Sequence, residues 1–130
     1  MKKDITNRSD IERLVQSFYI KVNKDDLLGH IFNQVAKVNW ERHLPIMYDF
    51  WENLLFYTGN YHGNPMDLHK HLHQLSSLKA EHFNHWNSLF NQTVDELFSG
   101  DNALIAKQRA MKISTIIQAQ LLSLGSSKID

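Results

Sequence analysis

Large apolar side chains recur every three or four residues along most of this chain, and this spacing is the strongest constraint on its fold. No segment shows the two-residue alternation that is typical of a half-buried β-strand. The chain contains only five glycines and two prolines, so few positions can interrupt a helix. The pattern therefore predicts an all-α fold.

Capping signals and hydrophobic spacing place the helices at about residues 9–23, 26–32, 39–57, 65–74, 79–98 and 102–123. The first is predicted to begin in a capping box formed by Ser9 and Glu12. Asp25, Asn39 and Asp101 are predicted to cap the second, third and last helices, because short polar side chains bind free N–H groups there.

Length and composition fit one domain, since a chain of 130 residues suits a single core. We expect that domain to span residues 1–130, with its core at about 9–123 and a frayed tail at about 125–130. No apolar run approaches the roughly 18–20 residues that cross a membrane, and the first residues lack the apolar core of a secretory signal. We therefore expect a cytoplasmic monomer.

Charge and cysteine content exclude several classes of function. Fourteen basic residues balance fourteen acidic ones, so neither nucleic acid nor an anionic membrane, which attract basic surfaces, is an expected partner. The chain has no cysteine, which excludes disulfides, thiolate nucleophiles and iron–sulfur clusters.

Three of the eight histidines fall in one short segment, residues 63–73. Pro65 follows a turn signal and fits the first turn of a helix, where its missing N–H has no cost. On that helix His69 and His73 lie one turn apart on one face, while His71 points elsewhere. An imidazole presented in this way is a candidate metal ligand.

The residues around this segment fit a haem site better than other metal sites. Haem needs an axial imidazole, flat apolar walls and, for a diatomic ligand, polar groups on the far side. Tyr19, His43 and Trp86 lie among large apolar residues of three predicted helices. Each of them alone is more readily explained by core packing, but their combination with a histidine segment favours haem.

Two alternatives stay open at this point. One is a helical interaction domain whose histidines are incidental. The other is a protein without haem that binds zinc or copper through His69 and His73. A structural zinc site usually uses thiolates, and a di-iron site needs paired Glu-x-x-His motifs, of which Glu81–His85 offers one imperfect copy. His82 and His85 are predicted to lie on the surface.

Several segments, taken in order and spacing, resemble the group III truncated haemoglobins. They are Tyr-Ile-Lys-Val at 19–22, Leu-Gly-His-Ile-Phe at 28–32, Trp-Glu-Arg-His-Leu-Pro-Ile-Met at 40–47, Asp-Phe-Trp at 49–51, Thr-Gly-Asn-Tyr-His-Gly-Asn-Pro-Met at 58–66, Glu-His-Phe-Asn-His-Trp at 81–86 and Phe-Asn-Gln-Thr-Val-Asp-Glu-Leu-Phe at 90–98. The resemblance implies a truncated globin in which two antiparallel helix pairs form a two-on-two sandwich around haem b.

The resemblance also implies roles for individual residues. His69 matches the proximal iron ligand, with His73 one turn away as the alternative. Tyr19, His43 and Trp86 match the polar residues on the opposite, distal side. Six more residues are expected to line the haem: Met47, Phe50, Trp51, Leu72, Phe83 and Ile113.

A haem protein that binds dioxygen and other diatomic ligands at a five-coordinate iron is the function that the resemblance implies. Donors from Tyr19 and Trp86 would slow oxygen release, which favours redox chemistry on oxygen, nitric oxide or peroxide over oxygen transport. We expect nitric oxide dioxygenase or peroxidase-like activity with an unidentified reductase, and electron transfer is an alternative. The chain departs from the family pattern at Ser77, where proline is common, and at Asn87, where an apolar residue is usual.

Overall fold

The structure is a computed structural model that describes residues 2–31, 33, 39–57 and 79–129, with side chains described as far as residue 119. These residues form five helices and no strand: α1 (Arg8–Lys24), α2 (Asp26–His30), α3 (Trp40–Phe56), α4 (Ala80–Leu97) and α5 (Asp101–Ile129). The helix predicted at about 65–74 lies outside the described residues.

The helices pack as two antiparallel pairs. In the first pair, the start of α1 meets the end of α3, because Arg8 binds both Asp49 and Glu52 at 2.6 Å. The end of α1 meets the start of α3, where Tyr19 lies against His43. The two helices therefore run in opposite directions.

The second pair consists of α4 and α5, and two contacts show its direction. The amide of Asn87 donates to the Ser114 hydroxyl at 2.6 Å, and the Lys107 ammonium binds Asp95 at 2.7 Å. A residue later on α4 therefore contacts a residue earlier on α5, so the two helices run in opposite directions. The two pairs join because α1 also packs against α4, and α3 against α5.

The buried face of α1 carries the apolar spacing on which the helix was predicted. Its apolar residues at 0–8% exposure are Ile11, Leu14, Val15, Phe18, Tyr19 and Val22. Each fully buried side chain of this size contributes on the order of 1.5–3 kcal/mol of transfer free energy. Packing, more than helix propensity, therefore holds α1 in place.

Local caps were predicted correctly for α2 and α3 but not for α1. Asp25 accepts the N–H groups of α2 at 2.9 and 3.1 Å, and Asn39 is the N-cap of α3. The capping box at Ser9 is wrong, because Asn7 is the N-cap of α1 and accepts the N–H of Asp10 at 2.9 Å. Asn and Ser are about equally good N-caps, so the residue types alone do not show whether the helix is capped by Asn7 or by Ser9.

The start of α5 is capped by a residue from the other end of the chain. Both carboxylate oxygens of Asp4 accept backbone N–H groups, from Asn102 and Ala103, at 2.9 Å. Gly100 has φ +143°, and a Cβ there would stand 2.5 Å from the Asp4 carboxyl carbon. Asp101, predicted as the cap, is instead the first residue of α5.

The last helix continues through Ile129, beyond the end predicted near residue 123. Its only glycine is Gly125, and one glycine inside a helix costs about 1 kcal/mol, which does not by itself end the helix. None of the helices in the described part of the chain is long and apolar enough to span a membrane. The cytoplasmic location stays a prediction.

Replacing Asp4 by Ala should lower the free energy of unfolding by about 1–2 kcal/mol at pH 7, because α5 loses its cap. Burial alone would raise the pKa of Asp4, but hydrogen bonds from the backbone N–H groups of Asn102, Ala103 and Ile5 outweigh it and lower the pKa. A carboxylate with a lowered folded pKa stabilises the fold above its ordinary pKa. The stabilisation disappears as the pH falls through the folded value.

Urea unfolding at pH 7 and at pH 3 checks this prediction. Asp101→Ala, at the exposed first residue of α5, is the matched control and should cost only a few tenths of a kcal/mol. Equal effects of the two substitutions, or an Asp4→Ala effect that does not shrink toward pH 3, would contradict the capping role.

Candidate functional site

Tyr19 and His43 meet between α1 and α3. The Tyr19 side chain is 8% exposed, and its hydroxyl lies 3.5 Å from Nε2 of His43. Burial raises the pKa of Tyr19 well above its ordinary value, so the phenol keeps its proton. The His43 tautomer decides which of the two groups donates.

Trp40 completes an aromatic cluster around these two residues. Its ring centroid lies 4.9 Å from that of Tyr19 and 5.7 Å from that of His43, with an edge-on geometry to the imidazole. The indole N–H donates to Oδ1 of Asn33 at 2.9 Å. Sequence reasoning placed Trp40 on an apolar face but did not include it in the site, because nothing in the local spacing distinguishes it from a core residue.

Trp86 on α4 reaches this cluster through Phe18. The Phe18 ring lies 5.3 Å from Trp86, edge-on, and 5.0 Å from Tyr19. Trp86 also stacks on Phe90 at 5.7 Å, with an angle of 8° between the ring planes. The three polar residues assigned to the distal side are thus linked by aromatic contacts across α1, α3 and α4.

The expected lining residues within the described part of the chain divide among three helices. Met47, Phe50 and Trp51 are buried on α3, and Trp51 stacks on Phe90 at 5.1 Å. Phe83 is buried on α4, whereas Ile113 is half-buried on α5 and packs against the core. Of these residues, Trp51 is linked to Trp86 through Phe90, and Phe50 packs against Trp51.

The proximal residues lie outside the described residues. This applies to His69, to the alternative ligand His73 and to Leu72, and also to Ser77. Within residues 2–31, 33, 39–57 and 79–129, no group of three or more His, Asp or Glu side chains could hold a metal ion.

His85 was predicted to lie on the surface, but it forms a link between helices. Its Nε2 lies 2.5 Å from Oδ1 of Asp25, the residue that separates α1 from α2. Burial alone would raise the pKa of Asp25. The bond to His85 and the N–H groups of Leu28 and Leu27 outweigh that effect and lower it. The partners are far apart in sequence, so no local pattern could reveal the pair.

Asn87, which stands where an apolar residue is usual, is nevertheless buried at 9% exposure. Its amide donates to Ser114 of α5 at 2.6 Å, and Ser114 donates in turn to the Met111 carbonyl at 2.9 Å. The polar partner on the facing helix satisfies the amide N–H, whereas Oδ1 of Asn87 is buried with no hydrogen-bond partner among the described residues.

Comparisons with known proteins agree with this architecture. No protein-family model matches the chain. The chain is 33% identical over 128 residues to the group 3 truncated hemoglobin ctb of Campylobacter jejuni subsp. jejuni serotype O:2, covering 96% of this chain and 98% of that protein. It also matches a crystal structure of group III truncated hemoglobin from Campylobacter jejuni with TM-score 0.76 and 30% identity, over 93% of this chain and 95% of the other.

The two antiparallel helix pairs and the structural match define a truncated globin, a two-on-two helical sandwich, which confirms the predicted fold class. The sequence identity is specific enough to name the subgroup. The chain belongs to the group III truncated haemoglobins.

Replacing Asp25 by Ala should lower the free energy of unfolding by about 1–2 kcal/mol, because it removes the cap of α2 and the partner of His85. His85→Gln should cost less, roughly 0.2–1 kcal/mol, since the pair is partly exposed. A double-mutant cycle at pH 7 measures the coupling between them. Asp26→Ala, at the exposed neighbour, is the control; an effect as large as that of Asp25→Ala would argue against both contacts.

Proposed function

We propose that this chain is a single-domain, monomeric haem protein that binds dioxygen and other diatomic ligands. We further propose that it carries out redox chemistry on oxygen or nitric oxide rather than oxygen transport. Membership of the truncated haemoglobin family supports haem and ligand binding. The buried Tyr19 hydroxyl, 3.5 Å from the imidazole of His43, is the observation that carries the chemical part of the proposal.

The chemistry of the described side chains fits a haem. A macrocycle needs flat apolar walls, and Phe50 and Trp51 are buried aromatic rings on the same helix as His43. A diatomic ligand needs a few hydrogen-bond donors in an otherwise apolar space, and the Tyr19 phenol is one, enclosed by aromatic rings.

Haem b held through His69 would supply an iron with one coordination position open to a diatomic ligand. Tyr19 contributes a hydroxyl that keeps its proton, because burial raises its pKa. Trp86 contributes an indole N–H, which can only donate. A donor of this kind stabilises a ligand that carries negative charge by about 1.5–3 kcal/mol, and does so without reorganisation if it is already oriented.

The His43 tautomer determines how well Tyr19 can act as a donor. If Nε2–H of His43 donates to the phenol oxygen, the Tyr19 hydrogen is available to the ligand, and the phenol becomes a stronger donor through polarisation. If Nε2 accepts instead, the Tyr19 hydrogen is directed to the imidazole. We propose that the first arrangement is the one that binds ligand.

Strong hydrogen-bond donation to bound oxygen favours redox chemistry over oxygen transport. Two donors together could slow oxygen release by several powers of ten, since each 1.4 kcal/mol is tenfold. A protein that releases oxygen so slowly delivers little of it, whereas a long-lived complex has time to react. Repeated turnover would also need electrons, which we propose come from a separate reductase.

Replacing Tyr19 by Phe should accelerate oxygen dissociation by about tenfold to a hundredfold, because one donor to the ligand is lost. Stopped-flow measurement of oxygen release from the ferrous protein gives this rate. Tyr48→Phe is the matched control: the Tyr48 hydroxyl accepts from Gln16 at 2.9 Å on the exposed side of α1 and α3, and its loss should leave the rate unchanged. An unchanged rate in Tyr19→Phe would remove Tyr19 from the ligand-binding network.

Nitrate formation by the oxygenated protein on addition of nitric oxide, and peroxide-dependent oxidation of a chromogenic donor, separate the two candidate reactions. The dioxygenase proposal predicts one nitrate per nitric oxide consumed. Absence of a Soret band in protein produced with adequate haem would end the proposal as a whole and leave the non-haem alternatives.

Replacing His69 by Gly should abolish haem retention or change the ferrous spectrum, and added imidazole should restore it, because the free base can occupy the place of the lost side chain. His73→Gly, four residues further along the sequence, is the matched control and should retain haem. The absorption spectrum with and without imidazole distinguishes the two. The reverse result would identify His73 as the iron ligand.

A further inference from the structure

Two side-chain amides connect the backbone of Tyr19 to the indole of Trp40. The amide of Asn23 donates to the Tyr19 carbonyl at 2.9 Å. Asn33 then donates to Oδ1 of Asn23 at 2.6 Å and accepts the Trp40 N–H at 2.9 Å. The chain of hydrogen bonds thus begins at the last turns of α1 and ends at the first residue of α3.

Ring contacts lead from Trp40 back to the side chain of Tyr19. The Trp40 ring packs against the Tyr19 ring, with centroids 4.9 Å apart and planes tilted by 54°. Trp40 also meets the edge of the His43 imidazole at 5.7 Å. The backbone of Tyr19 is therefore joined to its own ring by a loop of contacts that passes through Asn23, Asn33 and Trp40.

We propose that Asn33 and Trp40 are positioning residues that hold the Tyr19 hydroxyl and the His43 imidazole in contact. This inference rests on the proposed function, in which that contact directs a hydrogen toward the ligand. It adds two residues for which neither the family resemblance nor the comparisons provide a role.

The physical reason is the restricted rotation of Trp40. An indole has two side-chain torsions, and a hydrogen bond to its N–H leaves the ring few orientations that keep the bond. With the ring fixed, it occupies one side of the His43 imidazole and limits how far His43 can turn away from Tyr19. Loss of the Asn33 bond would remove one restraint on the Trp40 ring and, through the ring contact, on the rotation of His43.

Three substitutions separate positioning from a purely structural role. Asn33→Ala removes both bonds of the amide. Asn33→Asp keeps an acceptor for the Trp40 N–H, but it replaces the donor to Asn23 by a carboxylate oxygen that faces Oδ1 of Asn23. Trp40→Phe keeps an aromatic ring but has no N–H to anchor. Asn53→Ala, at an exposed asparagine of α3, is the control for loss of a surface amide that takes no part in these hydrogen bonds.

We expect Asn33→Ala and Trp40→Phe to speed oxygen dissociation from the ferrous haem protein threefold to tenfold. Asn33→Asp and Asn53→Ala should remain within twofold of the parent. The C–O stretching frequency of the carbon monoxide complex should rise in Asn33→Ala in the same direction as in Tyr19→Phe, because a weakened donor polarises the ligand less. The indole N–H resonance of Trp40 should move upfield in Asn33→Ala, where its acceptor is lost, and downfield in Asn33→Asp, where the acceptor is a carboxylate.

Several results would overturn the inference. One is an Asn33→Ala protein with a lower melting temperature but an unchanged C–O frequency and oxygen release rate, since the amide would then only tie α3 to the preceding segment. Asn33→Asp acting like Asn33→Ala would exclude the Trp40 bond as the cause. If Trp40→Phe does not retain haem, the Asn33 variants by themselves still test whether the positioning proposal holds. If Tyr19→Phe also has no effect, the ligand-binding role of Tyr19 in the proposed function has failed, whereas an effect in Tyr19→Phe alone rejects only this inference.

Discussion

The contact between Tyr19 and His43 is the interaction on which the rest of the site depends. A tyrosine hydroxyl buried without a partner costs about 1–3 kcal/mol, so α1 and α3 must meet where another polar side chain can reach it. The ion pairs of Arg8 with Asp49 and Glu52 hold the two helices together at their other end. These two anchors, one polar and partly buried and the other charged and half-exposed, fix the antiparallel pair along its length.

The second helix pair is joined to the first by stacked aromatic rings. Phe90 of α4 lies between Trp51 of α3 and Trp86 of the preceding turn, with nearly parallel planes on both sides. Large rings have few rotamers and many contacts, so this stack is a stiff wall. Trp86 is therefore held by apolar packing, while Tyr19 and His43 are held by polar contacts. The candidate donors of the site are thus oriented by two different kinds of interaction.

What could be predicted from the sequence is what depends on neighbours along the chain. The spacing of Ile11, Leu14, Val15 and Phe18 gave the face of α1, and Asp25 and Asn39 marked caps within three residues of the groups they bind. The cap of α5 was missed because Asp4 is 98 residues from Asn102, and the His85–Asp25 link spans 60 residues. The role of Trp40 was missed for a different reason: a tryptophan at helical spacing looks the same whether it fills a core or borders a ligand. Residue types and spacing singled out Tyr19, His43, Trp86 and His69, whereas their individual roles at the haem came from the family resemblance. Those roles stay predictions.

The protonation states around Tyr19 constrain what the distal side can do. Burial raises the pKa of this phenol, so Tyr19 can donate a hydrogen bond but is a poor source of a proton at neutral pH. Indole N–H groups are also donors that do not ionise. His43 differs from both, because its imidazole can donate or accept the bond to Tyr19 depending on the tautomer. Tyr19 and Trp86 would therefore hold the ligand by donating to it, while the His43 tautomer decides whether the Tyr19 hydrogen is directed to the ligand or to the imidazole. Limiting the rotation of His43, as proposed for Trp40 and Asn33, would then keep the phenol in the arrangement that donates to the ligand.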